Sequence, residues 1–453
     1  MKLMLSEIAG AVQGRLVGED CSIDTVSIDT RTLRKKDLYV AIKGEHFDGH
    51  DFVEKAEQAG AAALIVGRRM ETQLPQVLVA DSRLALAEMA GFWRRRLPVK
   101  VAGVTGSNGK TTVKEMIAAI LSLNDEVLST QGNLNNDIGV PLTLLRLHEK
   151  HRYAVIEMGA NHPGEIGYTS RYAKPDVAVI TNVGAAHIEG FGDLQGVAAA
   201  KGDIVESLGD KGVAVLNRDD EYFPYWQQLA GSRQIVSFGL HETADVRADN
   251  IRTGINGHEF ETTFDLWTAT DRLPLRLKLA GTHNVVNALA AAAVCIQFDI
   301  GLPQIRDGLA DMRPVTGRLQ PLVSHLGNIV IDDSYNANPT SLKAALEVLV
   351  QCGGEPWLVL GAFGELGPDS IRLHREIGEL CKAMNIVRLL ATGPDARHCV
   401  DAFGEGATFF VTQEELIAAL QQQLTGRETL LIKGSRARKM ENVAAALVEN
   451  FRA

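Results

Sequence analysis

Thr105-Gly106-Ser107-Asn108-Gly109-Lys110-Thr111-Thr112 lies between an apolar run, Val99 to Val104, and a segment, Val113 to Leu121, whose apolar residues recur at helical spacing. Strand, glycine-rich turn and helix in that order aim backbone N–H groups and a helix N-terminus at one point, which suits phosphate oxygens. Lys110 is spaced to reach the β- and γ-phosphates, and the Thr111 hydroxyl to ligate magnesium. Gly106, Ser107, Asn108, Gly109 and Thr112 complete the cradle. The spacing departs from the usual G-x-x-x-x-G-K-[ST]: its first glycine falls on Val104, and glycines stand at 103 and 106 instead.

Outward from this loop, the pattern predicts parallel strand–helix alternation. Tyr153 to Glu157, Asp176 to Thr181 and Gly212 to Leu216 read as buried strands. Between Asp245 and Leu279 the pattern turns hairpin-like, which predicts an antiparallel appendage, and Asn284 to Phe298 is an alanine-rich helix. A second doubly wound unit starts after Pro314, with strands at Asn328 to Ile331, Trp357 to Leu360, Val387 to Ala391 and Thr429 to Ile432. Before Asp81 short strands and helices mix. The division expected is 1–81, 82–313 and 314–453. The fold class is α/β in three domains: a small mixed N-terminal domain, a central P-loop ATPase-like parallel-sheet domain and a C-terminal Rossmann-like domain.

The chain of 453 residues carries a formal net charge of −10, which argues against a general nucleic-acid binder. Five scattered cysteines without C-x-x-C pairs suggest free thiols in a reducing compartment and no zinc site. No stretch reads as a signal peptide or a membrane span, so a soluble cytoplasmic protein is expected.

In open α/β sheets ligands gather at the carboxyl ends of strands. Glu157 closes one such strand, where a carboxylate can hold magnesium against phosphates. His187 follows another. Lys201, in Ala198-Ala199-Ala200-Lys201, reads by pattern alone as a solvated helix lysine. Asn338-Pro339 reads as an N-cap and first-turn pair, which leaves Asp332, Asp333, Tyr335 and Asn336 unexplained. Lys433-Gly434-Ser435-Arg436 reads as a basic strand-to-helix turn, with Ser435 as cap, that favours a carboxylate or phosphate. Arg318 at the expected domain junction is ambiguous by itself.

Together these motifs resemble the Mur ligase family of peptidoglycan synthesis over nearly the whole chain. The resemblance includes Gly132-Asn133-Leu134-Asn135-Asn136, Glu157-Met158-Gly159, Lys201-Gly202 and Gly281-Thr282-His283-Asn284-Val285-Val286-Asn287. Asp203 stands where the family more often has Glu. Asp332 to Pro339 and Lys433 to Arg436 discriminate most, because family members that add single amino acids differ there. The resemblance implies ATP-dependent joining of D-alanyl-D-alanine to UDP-N-acetylmuramoyl-tripeptide through an acyl phosphate. It implies two magnesium ions, with Thr111 and Glu157 on one and His187 and a carbamylated Lys201 on the other. Lys110, Glu157, His187 and Lys201 would be catalytic. Asn284, Asn287, Asp333, Tyr335 and Asn336 would meet the adenosine, and Arg318 the phosphates. Ser27, Thr30, Arg31, Gly44, Asn135 and Asn136 would contribute to the site of the UDP-linked substrate, and Lys433, Ser435 and Arg436 would meet the dipeptide. A monomer is expected, with no nucleic acid and no membrane insertion. Alternatives left open are another amino-acid ligase of this fold, folylpolyglutamate synthase, or a P-loop ATPase switch.

Overall fold

In the computed structural model of the chain, residues 1–184, 188–256 and 259–448 are described; His187 lies outside them. Lys100–Thr105 is buried along nearly its whole length and sits inside a nine-stranded sheet. Its parallel neighbours are His151–Glu157 on one side and Val177–Ile180 on the other. The chain therefore leaves the central strand toward both edges of the sheet. That reversal opens a crevice at the carboxyl end of Lys100–Thr105, where the phosphate loop begins.

Both faces of this sheet are covered. Ala102, Val104 and Val179 pack with Ile117, Val285 and Ala292 from helices Lys110–Leu121 and Thr282–Gln297, while Val101, Ile156 and Ile180 pack with Ile166, Ala198 and Ile204 on the other face. Double coverage accounts for the unbroken apolar strands. The expected antiparallel region extends the same sheet: Val246–Asn256 pairs parallel to Gln234–Gly239 and antiparallel to Glu259–Trp267, which in turn pairs antiparallel to Arg272–Leu277.

The N-terminal region forms a five-stranded sheet in the order Arg15–Val17, Gln76–Leu78, Ala63–Val66, Leu38–Val40, Val26–Ser27. The C-terminal region forms a six-stranded one. Within it Ile329–Asp333 and Glu355–Gly361 flank Glu428–Lys433, all parallel. Gln320–Val323, which the sequence pattern does not announce, adds an antiparallel edge. Asn338 caps Pro339–Gln351 as expected: its Oδ1 accepts from the Ser341 N–H at 2.8 Å.

Ser435 is not a helix cap. A short 3-10 turn, Arg436–Arg438, follows it, and its hydroxyl donates to the Ala362 carbonyl at 2.8 Å. The α-helix starts only at Glu441. Register with the neighbouring strand, rather than local capping chemistry, takes that hydroxyl. All five cysteines are free, and no described helix is long and apolar enough to cross a membrane.

Candidate functional site

Two glycines shape the phosphate loop. Gly109 lies at φ 80° at the N-terminus of Lys110–Leu121, and a Cβ there would stand 2.4 Å from Asn287 Oδ1. Gly106 has φ 147°, and a Cβ there would meet the Thr181 hydroxyl. The loop is laced to the next strand end: Asn182 Oδ1 accepts from the Asn108 N–H at 2.9 Å, and the Thr181 hydroxyl donates to the Asn108 carbonyl at 2.6 Å. Lys110 donates to the carbonyls of Gly106 at 2.6 Å and Ser107 at 3.2 Å.

Charges converge here. Burial lowers the Lys110 ammonium from its ordinary pKa, with Glu157 opposing and Arg318 adding to that shift. Lys201 is 4% exposed, not solvated as its pattern suggested, because its helix Leu194–Glu206 turns that face inward. Burial, and then the Lys110 charge, push its pKa well below that of a free lysine. Glu157 is buried at the end of its strand. Its Oε1 accepts from Asn135 Nδ2 at 2.8 Å, while Oε2 is buried with no hydrogen-bond partner among the described residues. A buried carboxylate oxygen left bare is costly unless a cation or donor completes it. It therefore suits a divalent ion. The Thr111 hydroxyl, the other expected ligand, accepts from Arg318 Nη2 at 3.0 Å.

The C-terminal unit closes over this loop. Asn338 Nδ2 donates to Asn108 Oδ1 at 2.7 Å, across 230 residues of chain. The Arg318 guanidinium lies 4.4 Å from the centre of the Tyr335 ring, and that of Arg436 lies 5.6 Å from it. Asp333 and Lys433 are register partners on adjacent strands and form a buried ion pair; Lys433 also donates to the Asn336 carbonyl at 3.0 Å. Arg436 pairs with Glu441 at 3.0 Å. Asn284 and Asn287 are buried and bonded to each other at 3.1 Å. Asn136 ties the start of Gly139–Leu145, accepting from the Gly139 N–H at 2.8 Å.

A separate cavity of about 770 Å³ opens on the N-terminal unit, lined by Lys43, Gly44, Asp48, His50, Arg68 and Arg83 among others. His50 is held by Asp48 at 2.5 Å on Nδ1 and accepts from the Gly67 N–H at 2.8 Å on Nε2. The backbone N–H of His50, ahead of its ring and Arg68, holds the Asp48 carboxyl at about 2. Of the residues expected for this substrate, Gly44 lines the cavity; Ser27, Thr30, Arg31, Asn135 and Asn136 do not, and the Arg31 guanidinium is exposed and paired with Asp29. Lys43, Arg68 and Arg83 are cations that sequence reasoning missed. Their one signal was position, just past strand ends and at the start of helix Ser82–Arg94.

The family models for the Mur ligase catalytic domain, middle domain and glutamate ligase domain match residues 22–104, 104–295 and 317–436. UDP-N-acetylmuramoyl-tripeptide–D-alanyl-D-alanine ligase of Escherichia coli (strain K12) is 44% identical, with 99% of each chain covered. A crystal structure of MurF from Acinetobacter baumannii superposes with a TM-score of 0.93 at 37% identity, covering 99% of both chains. The MurF ligase of Thermotoga maritima in complex with ADP superposes at 0.85 with 28% identity, covering 95% of this chain and 98% of that one. By sequence and by structure, over its whole length, the chain belongs to the Mur ligase family.

Proposed function

We propose that this protein is the ATP-dependent ligase that joins D-alanyl-D-alanine to UDP-N-acetylmuramoyl-tripeptide in peptidoglycan precursor synthesis. The observation that carries the reading is 44% identity over 99% of the chain to a ligase named for that reaction. It is supported by a phosphate loop whose Lys110 interacts electrostatically with two further buried groups, the Glu157 carboxylate and Lys201.

The tripeptide carboxylate attacks the γ-phosphate of ATP, giving an acyl phosphate and ADP. The dipeptide amine then attacks the acyl carbon, and phosphate leaves. The first step brings two anions together, so cations must offset their repulsion. Lys110 does so once it swings from the Gly106 and Ser107 carbonyls to the phosphates. Magnesium, when bound, supplies Lewis-acid neutralisation of the phosphoryl oxygens. Thr111 and Glu157 would hold one ion, His187 and carbamylated Lys201 a second. Burial supports the carbamate: it lowers the Lys201 pKa, and the neutral amine is the form that adds carbon dioxide. Asn284, Asn287, Asp333, Tyr335 and Asn336 are assigned to the adenosine and Arg318 to the phosphates. The 770 Å³ cavity is assigned to the UDP moiety, whose diphosphate suits Lys43, Arg68 and Arg83. Lys433, Ser435 and Arg436 are assigned to the dipeptide. Closure of the C-terminal unit through Asn338 and Arg318 excludes water from the acyl phosphate.

We take the domains to divide near residues 81 and 313, and the enzyme to be a cytoplasmic monomer, as its free thiols and water-soluble substrates favour. The test is phosphate release from ATP and magnesium with the UDP-linked tripeptide, with and without D-alanyl-D-alanine. Release that needs both, with a product heavier by one dipeptide, is expected. Release supported by single amino acids and not by the dipeptide would overturn the acceptor assignment and leave the nucleotide site standing.

A further inference from the structure

One buried charge has no part in the reaction above. Lys114 is on the phosphate-loop helix, three residues beyond Thr111, and is 1% exposed. An ammonium ion taken out of water persists only where fixed acceptors replace its hydration. Its Nζ donates to the Thr130 carbonyl at 2.8 Å and pairs with Glu115 at the surface.

Thr130 directly follows the strand Glu126–Ser129 and opens the loop that carries Asn135. The Thr130 hydroxyl accepts from the Glu157 backbone N–H at 3.0 Å. Asn135, from the same loop, donates to Glu157 Oε1 at 2.8 Å, and the Asn135 carbonyl accepts from the Gly159 N–H at 2.9 Å. One loop therefore holds Glu157 by both backbone and carboxylate, and Lys114 ties that loop to the helix bearing Thr111.

We infer that Lys114 is a positioning residue for the magnesium site: through Thr130 it fixes the separation between the Thr111 hydroxyl and the Glu157 carboxylate. The inference rests on the assignment of these two as ligands to one ion. A divalent ion demands near-ideal placement of its oxygen ligands, so a strut between the two elements that carry them sets affinity without touching the metal. Methionine at 114 keeps the length and apolar volume of the stem and removes the donor. Valine at 130 keeps the shape and removes the hydroxyl that holds Glu157.

The test measures Mn2+ binding to the full-length protein by electron paramagnetic resonance, with a non-hydrolysable ATP analogue present, alongside thermal unfolding without metal. Lys114→Met and Thr130→Val are each expected to weaken Mn2+ binding by about tenfold or more. Metal-free affinity for the analogue should hold, and the double variant should bind Mn2+ no more weakly than the worse single one, because both act on one path. Lys114→Met that folds and binds Mn2+ like the parent overturns the inference, leaving Lys114 as a core filler. Should Lys114→Met fail to fold, Thr130→Val decides alone, and unchanged Mn2+ affinity again overturns it. Glu157→Gln separates the two readings. If it weakens Mn2+ binding while Lys114→Met and Thr130→Val do not, only the inference fails; if it too leaves binding unchanged, the magnesium assignment falls and takes the inference with it.

Discussion

Asn338 makes two bonds with opposite ends of one amide, and substitution can separate them. Its Oδ1 accepts from the Ser341 N–H at 2.8 Å and caps Pro339–Gln351; its Nδ2 donates to Asn108 Oδ1 in the phosphate loop at 2.7 Å. The cap fixes which end is oxygen, so the nitrogen must face Asn108. Asn338→Ala removes both bonds. Loss of the cap costs about 1 kcal/mol, which for a unit of this size lowers the melting temperature by roughly 2–4 °C. Loss of the bond between units costs about 1 kcal/mol more, a roughly fivefold fall in the docked population. Asn338→Asp keeps an oxygen for the cap and sets a carboxylate against the Asn108 oxygen. Its melting temperature should therefore match the parent, while turnover falls at least as far as in Asn338→Ala. Differential scanning calorimetry and steady-state phosphate release read the two effects separately. The reasoning is refuted if Asn338→Asp turns over like the parent, or if it loses as much stability as Asn338→Ala.

Lys110→Ala should abolish turnover with the fold intact, since the loop loses the cation closest to the phosphates; near-parent rates would sink the nucleotide assignment. Lys201→Ala should be nearly inactive and partly restored by a short carboxylic acid in solution, checked by phosphate release across an acid titration; an inactive variant that no acid restores would count against the carbamate. Arg436→Ala, losing a guanidinium held between Tyr335 and Glu441, should raise the apparent KM for the dipeptide more than for ATP; the reverse order would move Arg436 to the nucleotide side. His374 is fully buried, accepts from the Phe363 N–H at 3.1 Å on Nε2 and faces the Ser370 carbonyl at 2.8 Å on Nδ1, and burial lowers its pKa. A lowered folded-state pKa means that the unfolded chain protonates first, so this contribution holds above about pH 6.5 and is lost as pH falls below it. Thermal unfolding against pH should show that loss in the parent and less of it in His374→Gln; equal slopes would rule it out.

Legibility followed the range of the interaction. The phosphate loop, the buried parallel strands and the Asn338 cap were readable because each depends on neighbours within a few residues: glycine dihedrals, apolar periodicity, a side chain reaching its own helix. Lys201 was misread for the same reason. Its local pattern is that of a solvated helix lysine, and only the packing of Leu194–Glu206 onto the sheet buries it. Ser435 has the chemistry of a cap, yet the adjacent strand end at Ala362 takes its hydroxyl. The cavity cations Lys43, Arg68 and Arg83 come from three elements with no shared motif.

From sequence alone followed the fold class, the phosphate loop with its Lys110 and Thr111, and, through whole-chain resemblance, the family. These are properties of short segments, whose conformations the backbone and the apolar period dictate. Tertiary structure alone decided which polar groups meet: Asp333 with Lys433 across adjacent strands 100 residues apart, Arg318 with the Thr111 hydroxyl across 207, and buried Glu157 with the Lys110 charge. Sheet register and domain closure choose those partners. Both are set by the sum of many packing contacts, which no local stretch of sequence contains.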